Sequence, residues 1–477
     1  MSFKPIINLF SILVMFFSLS FILPMVVSFI YKDSALSIFT TTFFIVFGLG
    51  AFGWLTSKGS KKELDQNDGF ILVTFFWLIL AIAGAIPFFL SGMSFVDAFF
   101  ESMSGITTTG ATVISGLDSL PESVLFYRQL LQWMGGMGLI VLAVAVMPLL
   151  GIGGGQLYKT EIPGALSGQK LTPTISGTAK ALWAIYLGLT IACAVLYYLG
   201  GMTSFDAISH SLSTVSIGGF STHDASIGYF NSNFIEAVCI VFMLLSALSF
   251  SLHYYAIYTK RPLKYFYDPE LRFFISILFL IFIISLLINF ASSQFNAPIS
   301  DLLFQSVSIV TTTGFSVADS SEWAPSIGFL FLIGAFIGAC SGSVGGGVKS
   351  YRVLIMINYA YINLMKMVHP NAVVSLKMGA KNIDNDVATS VWGFFSIYVI
   401  SFMILLLGLV MTGLDFESSF SAIGACLNNL GPGLGEVSQT YGTVTPAGKS
   451  ILALAMILGR LEIFTLLVLL TPMFWRK

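Results

Sequence analysis

The sequence predicts an all-α polytopic membrane protein: four helix–pore loop–helix repeats with pseudo-fourfold symmetry around one central pore, plus two extra N-terminal transmembrane helices. Three observations predict it. Of 477 residues, 56% are hydrophobic and 9% charged, against about 25% charged in an ordinary soluble domain. Apolar runs long enough to cross a ~30 Å hydrocarbon core recur along the whole length. Between those runs, one polar, glycine-containing motif returns four times.

About ten runs qualify as spans: 7–30, 36–56, 70–91, 129–150, 180–200, 233–257, 273–292, 326–362 (broken), 388–412 and 447–471. The first is too long for a signal peptide and lacks a small-residue cleavage pattern, so it reads as a retained helix. Place Lys4 in the cytoplasm and let the spans alternate. Lys58, Lys61, Lys62, Lys159, Lys170, Lys260, Arg261, Lys264, Arg272, Lys366, Lys377, Lys381, Arg476 and Lys477 then fall inside. Only Lys32, Arg128 and Lys449 fall outside, as the positive-inside bias requires, and both termini are cytoplasmic. The net charge of −1 says little; its distribution says more. The outer connections carry Asp97, Glu101, Asp118, Glu122, Asp206, Asp224, Asp301, Asp319, Glu322, Asp415, Glu417 and Glu436. Two readings stand for these acids: ordinary solvated loop residues, or an acidic face that concentrates cations.

Cys193, Cys239, Cys340 and Cys426 sit singly in apolar segments without C-x-x-C spacing. His210, His223, His253 and His369 are scattered too. Neither a disulfide framework nor a metal cluster is suggested.

The repeated motif starts at Asp97 as D-A-F-F-E-S-M-S-G-I-T-T-T-G-A-T and at Asp206 as D-A-I-S-H-S-L-S-T-V-S-I-G-G-F-S. It returns at Asp301 as D-L-L-F-Q-S-V-S-I-V-T-T-T-G-F-S. The acid precedes a glycine by one fixed interval (97 to 110, 206 to 219, 301 to 314). A divergent fourth copy, S-S-F-S-A-I-G-A-C-L-N-N-L-G-P-G from Ser418, places Gly431 in register, with Glu417 just ahead. Each copy lies between two apolar spans, and the residues between acid and threonines suffice for a short helix but not a crossing. The chain divides accordingly into 1–69 (two N-terminal helices and a cytoplasmic loop), 70–178, 179–272, 273–386 and 387–477.

Irregular backbone at membrane depth is tolerated only where it is buried in protein or lines a wet cavity. Four such loops imply one cavity lined by four backbones. The acids suit the short helices' N-terminal dipoles and free N–H groups, and the carbonyl-rich ends favour a cation. A dehydrated monovalent cation needs oxygen ligands, which rings of main-chain carbonyls supply without fixed negative charge. The candidate filter is Thr108, Thr109 and Gly110; Ile217, Gly218 and Gly219; Thr312, Thr313 and Gly314; and Asn429, Leu430 and Gly431.

These motifs, with L-F-Y-R-Q-L-L-Q-W-M-G-G-M-G (125–138), V-H-P-N-A-V (368–373), V-W-G-F-F-S (391–396) and G-R-L-E-I-F-T-L-L-V-L-L-T-P (459–472), resemble the Trk/Ktr/HKT potassium transporters nearly end to end. The two extra N-terminal spans fit the longer Trk-type members. In that family, glycine in all four filter loops goes with potassium preference, while serine in the first goes with sodium in some plant members. The resemblance therefore implies K⁺ as the ion held at the filter residues, no covalent cofactor, and a bacterial inner-membrane location. It also implies a homodimer and a cytosolic nucleotide-binding ring protein of the TrkA type as partners. The basic inner loops around 159–180, 260–272 and 349–381 suit such docking, although the positive-inside rule alone produces them. Nothing points to nucleic acid.

The span from 326 is interrupted by G-A-C-S-G-S-V-G-G-G-V-K-S (338–350). Each interior glycine costs a helix about 1 kcal/mol relative to alanine. The resemblance makes this an intramembrane gating loop, with Gly345, Gly346, Gly347 and Lys349 in it; a kinked packing helix is the alternative. Arg460 falls in the middle of the last apolar run, where a charge costs roughly 2.5–3.5 kcal/mol unless it meets a partner or a wet cavity. The resemblance sets Arg460 under the filter as a barrier to cations; a buried structural ion pair is the alternative. Glu462 lies on a different helical face, free to anchor another helix.

No ATPase motif is present: A-G-K-S at 447–450 lacks the glycine of a phosphate-binding loop at Thr443. A potential of about 100 mV is worth roughly 2.3 kcal/mol per charge, so a gated pore suffices for accumulation. A K⁺/H⁺ or K⁺/Na⁺ symporter is the alternative within transport. An embedded enzyme would need a catalytic cluster that the apolar segments lack.

Overall fold

The computed structural model describes residues 3–58, 66–145, 175–260, 263–292, 297–318, 323–372, 374–379 and 381–475. Of the charges in the orientation argument, Lys61, Lys62, Lys159, Lys170, Arg261, Asp319, Glu322, Arg476 and Lys477 lie outside the described residues.

Helices dominate, as the long apolar runs require. α1 (Phe3–Ser18) and α2 (Ile22–Tyr31) make one apolar rod, and α3 (Leu36–Ser57) packs back along it. In the turn between them, the Asp33 carboxylate accepts from Ser123 N and Ala35 N, each at 3.0 Å, which ties this hairpin to the first repeat. Burial pushes the Asp33 pKa up, but hydrogen bonds from Ser123, Ser28 and Ala35 outweigh it and hold the group below the usual carboxylate value.

Four long-helix and short-helix sets follow. The first is α4 (Gln66–Leu90), the short α5 (Phe95–Ile106) and α6 (Glu122–Ala145). The second is α7 (Ile175–Leu199), the short α8 (Ser204–Val215), α9 (Asn233–Ala247) and α10 (Phe250–Tyr258). The third is α11 (Pro269–Ala291), the short α12 (Ile299–Val310), α13 (Pro325–Ile337) and α14 (Ser350–Val368). The fourth is α15 (Asn385–Val410), the short α16 (Phe416–Leu427), α17 (Pro446–Arg460) and α18 (Phe464–Leu470). A two-residue antiparallel pairing of Lys377–Met378 with Lys381–Asn382 precedes α15.

Among the described residues, six helices are long and apolar enough to cross a membrane, and two bent pairs raise that to eight. Phe44, Phe52, Leu199, Phe290, Leu407 and Met411 lie exposed on helix flanks. Lipid accepts such a surface; water does not. The chain is a multi-pass membrane protein.

Two runs that read as single spans are broken. The 233–257 run bends by 95° between α9 and α10, and the 447–471 run by 113° between α17 and α18. At the first break, Ala247 O accepts from Cys340 N (3.1 Å) and Phe250 N donates to Gly342 O (3.0 Å). Freed backbone groups thus find partners in the glycine-rich 338–350 segment, which is what makes a break tolerable at membrane depth. At the second break, Glu462 and Ile463 have positive φ, 52° and 59°. Arg460 consequently ends a helix at the break in this run.

The buried apolar side chains fall mainly into two clusters. One joins the N-terminal helices with the first and fourth sets through Trp77, Phe100, Tyr127, Tyr398 and Leu452. The other joins the second and third through Tyr186, Tyr197, Phe242, Phe274, Phe304 and Phe331.

Candidate ion-conduction site

Three of the four short helices start with a side-chain cap. Ser94 Oγ accepts from Asp97 N (3.2 Å) and donates to the Asp97 carboxylate (2.7 Å). Thr203 does the same with Asp206, at 3.1 and 2.7 Å. In both, the cap hydroxyl accepts the N3 backbone N–H and donates to the N3 carboxylate. The repeated acid therefore sits at the third helical position, holding the cap hydroxyl, and is not itself the cap. In the fourth copy Asp415 is the cap, accepting from Ser418 N at 2.9 Å. The third begins at Pro298 without a side-chain cap bond.

All four end alike. Thr108, Ile217, Thr312 and Asn429 are left-handed, with φ of 56°, 53°, 64° and 52°. The following N–H groups, of Thr109, Gly218, Thr313 and Leu430, return to Ser104 O, Ser213 O, Ser308 O and Ala425 O at 2.7–2.9 Å. Each short helix thus closes in a Schellman turn. Three of these turns place a β-branched residue where such residues are rarely found, while asparagine tolerates the conformation in the fourth. Backbone held this way persists only where its surroundings over-determine it.

The glycines after these turns bring the four strands together. A Cβ on Gly110 would overlap Gly218 O, and one on Gly219 would overlap Thr313 O. A Cβ on Gly314 would come within 2.9 Å of Pro432 Cδ and 3.2 Å of Gly431 N; one on Gly431 would lie 2.7 Å from Gly110 O. First meets second, second third, third fourth, and fourth first. All twelve candidate filter residues lie in these abutting strands.

The 338–350 segment and Arg460 meet the helix-side end of the strands. Gly346 N donates to Thr312 Oγ1 (2.7 Å) and Gly347 N to Asn428 O (3.1 Å). A Cβ on Gly345 would lie 2.8 Å from Thr311 O and 3.5 Å from Ile217 Cδ1. Lys349 Nζ folds back onto Gly345 O. Arg460 donates to Thr108 Oγ1 (3.1 Å), Val344 O (3.1 Å) and Gly135 O (2.6 Å), so it joins the first strand, the 338–350 segment and α6. Glu462 pairs with Arg352 of α14, whose guanidinium lies 4.3 Å over the Phe394 ring.

Sequence reasoning placed Glu101 and Asp206 among the outer-loop acids and Arg128 outside; the structure encloses all three. Glu101 accepts from Thr112 Oγ1 (3.0 Å), Val113 N (3.0 Å) and Arg128 Nε (2.8 Å). Arg128 also donates to Ser221 O (3.0 Å) and Thr112 Oγ1 (3.1 Å), linking the first two strands. In the second copy His210 takes the register position of Glu101, and its Nε2 lies 2.9 Å from Ser221 Oγ. A signal existed: Glu101, His210 and Gln305 put a large polar side chain at one register of the first three short helices. Lys449 Nζ, 2.6 Å from Asp97 Oδ1, joins the fourth set to the first.

Four short helices set between apolar helices, each followed by a glycine-bearing strand, define an α-helical membrane protein with four abutting loops. A family model described as TrkH, cation transport protein, matches residues 35–477. The chain is 50% identical over 485 residues to the Trk system potassium uptake protein TrkH of Vibrio parahaemolyticus, with 100% of both covered. It is 46% identical over 484 residues to that of Escherichia coli K12, again over 100% of both. The crystal structure of the potassium transporter TrkH from Vibrio parahaemolyticus matches with a TM-score of 0.90 and 48% identity, covering 100% of each chain. The chain belongs to the TrkH family of cation transport proteins.

Proposed function

We propose that this chain takes up K⁺ across a bacterial inner membrane as a gated, channel-like conduction subunit driven by membrane potential. The observation that carries this reading is the cyclic abutment of the strands at Gly110, Gly219, Gly314 and Gly431. Gly218 O, Thr313 O and Gly110 O lie at three of these junctions, and main-chain oxygens are the ligand set a dehydrated K⁺ requires. Each short helix ends, at the negative end of its dipole, in the turn that leads into these abutting strands. Relatives that match over their full length carry potassium uptake in their names, which supports K⁺ as the ion.

In this reading the twelve strand residues are the selectivity filter. The segment with Gly345, Gly346, Gly347 and Lys349 is the gate, and Arg460 is a fixed positive charge beneath the filter. K⁺ is cargo held at the filter, and no covalent cofactor takes part. The working unit is a homodimer bound to a cytosolic nucleotide-binding ring protein of the TrkA type, with both termini cytoplasmic. The deciding experiment is voltage-driven flux into proteoliposomes holding the purified protein, comparing K⁺, Rb⁺, Na⁺ and Li⁺ without a proton gradient. K⁺ and Rb⁺ flux that outruns Na⁺, with no proton movement, is expected. Flux that requires a proton or sodium gradient would replace the pore with the symporter.

A further inference from the structure

The second filter strand departs from the first and third. In the first, Thr107 and Thr109 hydroxyls lie 2.8 Å apart, and Thr107 Oγ1 donates back to Met103 O (2.7 Å). In the third, Thr311 and Thr313 repeat this at 2.7 Å, with Thr311 Oγ1 donating to Val307 O. Each of those strands is braced from behind by its own threonine pair. The second copy reads S-I-G-G and has no side chain at Gly218, the register position of Thr109 and Thr313.

Gln132 of α6 fills that place. It is fully buried, and a Cβ on Gly218 would overlap its amide. The amide makes three bonds. Nε2 donates to Gly218 O (2.6 Å), while Oε1 accepts from Phe220 N (3.1 Å) and from Ser213 Oγ of the short helix (2.7 Å). Its donor and acceptor grip the strand on either side of Gly219, and the third bond fixes the amide to α8. Holding Gly218 O sets the plane of the peptide that enters Gly219, and with it the directions of neighbouring carbonyls.

We infer that Gln132 is a specificity-determining positioning residue: its amide stands in for the missing threonine side chain and holds the second strand in filter geometry. The inference rests on the filter reading above. Gly218 is then required to be glycine by the approach of this amide, since its own φ lies outside the left-handed set.

The test uses the purified full-length protein in planar bilayers, with reversal potential measured between K⁺ and Na⁺ solutions, a readout independent of how much protein inserts. Wild type preferring K⁺ supports the filter reading; wild type without preference refutes that reading, whatever Gln132 does. Given a selective wild type, Gln132→Ala is expected to lower the K⁺/Na⁺ permeability ratio roughly tenfold, about 59 mV for monovalent ions. Gly218→Thr alone should clash with Gln132 and lose selective current. The double change Gln132→Ala with Gly218→Thr should recover much of the ratio by rebuilding the brace of the other strands. Ser213→Ala, which removes one of the three bonds, should give a smaller fall and serves if Gln132→Ala does not fold. A wild-type ratio in the folded Gln132→Ala or Ser213→Ala protein, or no recovery in the double variant, overturns the inference.

Discussion

Glu101 and Arg128 form an enclosed ion pair behind the first candidate filter strand, 2.8 Å from Oε1 to Nε, with side chains 0% and 1% exposed. The same carboxylate accepts from Thr112 and Val113, and the same guanidinium lies 4.2 Å over the Phe220 ring. One pair therefore braces two strands. Glu101→Ala strands a buried cation and should cost about 3–5 kcal/mol. The thermal midpoint of the detergent-solubilised protein measures it. Replacing both partners by methionine should recover part of the loss; equal midpoints for wild type and Glu101→Ala would refute the bracing role.

Arg460 sets positive charge against Thr108 and Val344 where the candidate filter meets the 338–350 segment. Arg460→Ala should raise cation flux without abolishing selectivity, because the filter backbones are untouched. Flux per protein in proteoliposomes checks it, and unchanged or lower flux at normal folding counts against the barrier.

Gly110 has φ of 83°, and a Cβ there would overlap Gly218 O. Gly110→Ala should abolish K⁺ preference, since strand one must withdraw from strand two. Gly48 in α3 has no neighbour within 4 Å of a built Cβ, so Gly48→Ala should leave the K⁺/Na⁺ permeability ratio as it was. Equal ratios for both variants would remove the packing argument.

His223 links the loops that follow the first two strands. Its Nδ1 contacts Asp118, its Nε2 lies 3.4 Å from Asp206 Oδ1, and its ring stacks on Tyr229 at 3.5 Å, with buried His210 6.4 Å away. Burial lowers its pKa, but Asp206 and Asp118 outweigh that and raise it above the ordinary 6.5. Its stabilising contribution is thus complete below about 6.5 and lost as pH rises through the raised native value. The thermal midpoint of wild type should fall as pH rises through that window more than that of His223→Gln. Parallel pH profiles for the two would sink this account.

The apolar runs and the fourfold motif were legible because each is local: spans need only consecutive apolar residues, and the copies share a glycine register. The breaks at 248–249 and 461–463 were not legible, because both segments are apolar enough to run straight through. Partners from 338–350, far away in sequence, make the first break affordable. Glu101 and Arg128 looked like ordinary outer-loop charges for the same reason: at a sequence separation of 27, only folding shows that they enclose one another.

The sequence by itself determined a chain of membrane-crossing helices with four polar, glycine-bearing interruptions, since hydrocarbon excludes unpaired backbone and leaves helices as the spanning solution. Tertiary structure decided which backbone meets which: the ring from Gly110 round to Gly431, the amide of Gln132 in the place of a threonine, and Arg460 at a helix end under the strands. Those contacts join residues from different repeats, and their geometry depends on how whole helices pack, which no local pattern of residues encodes.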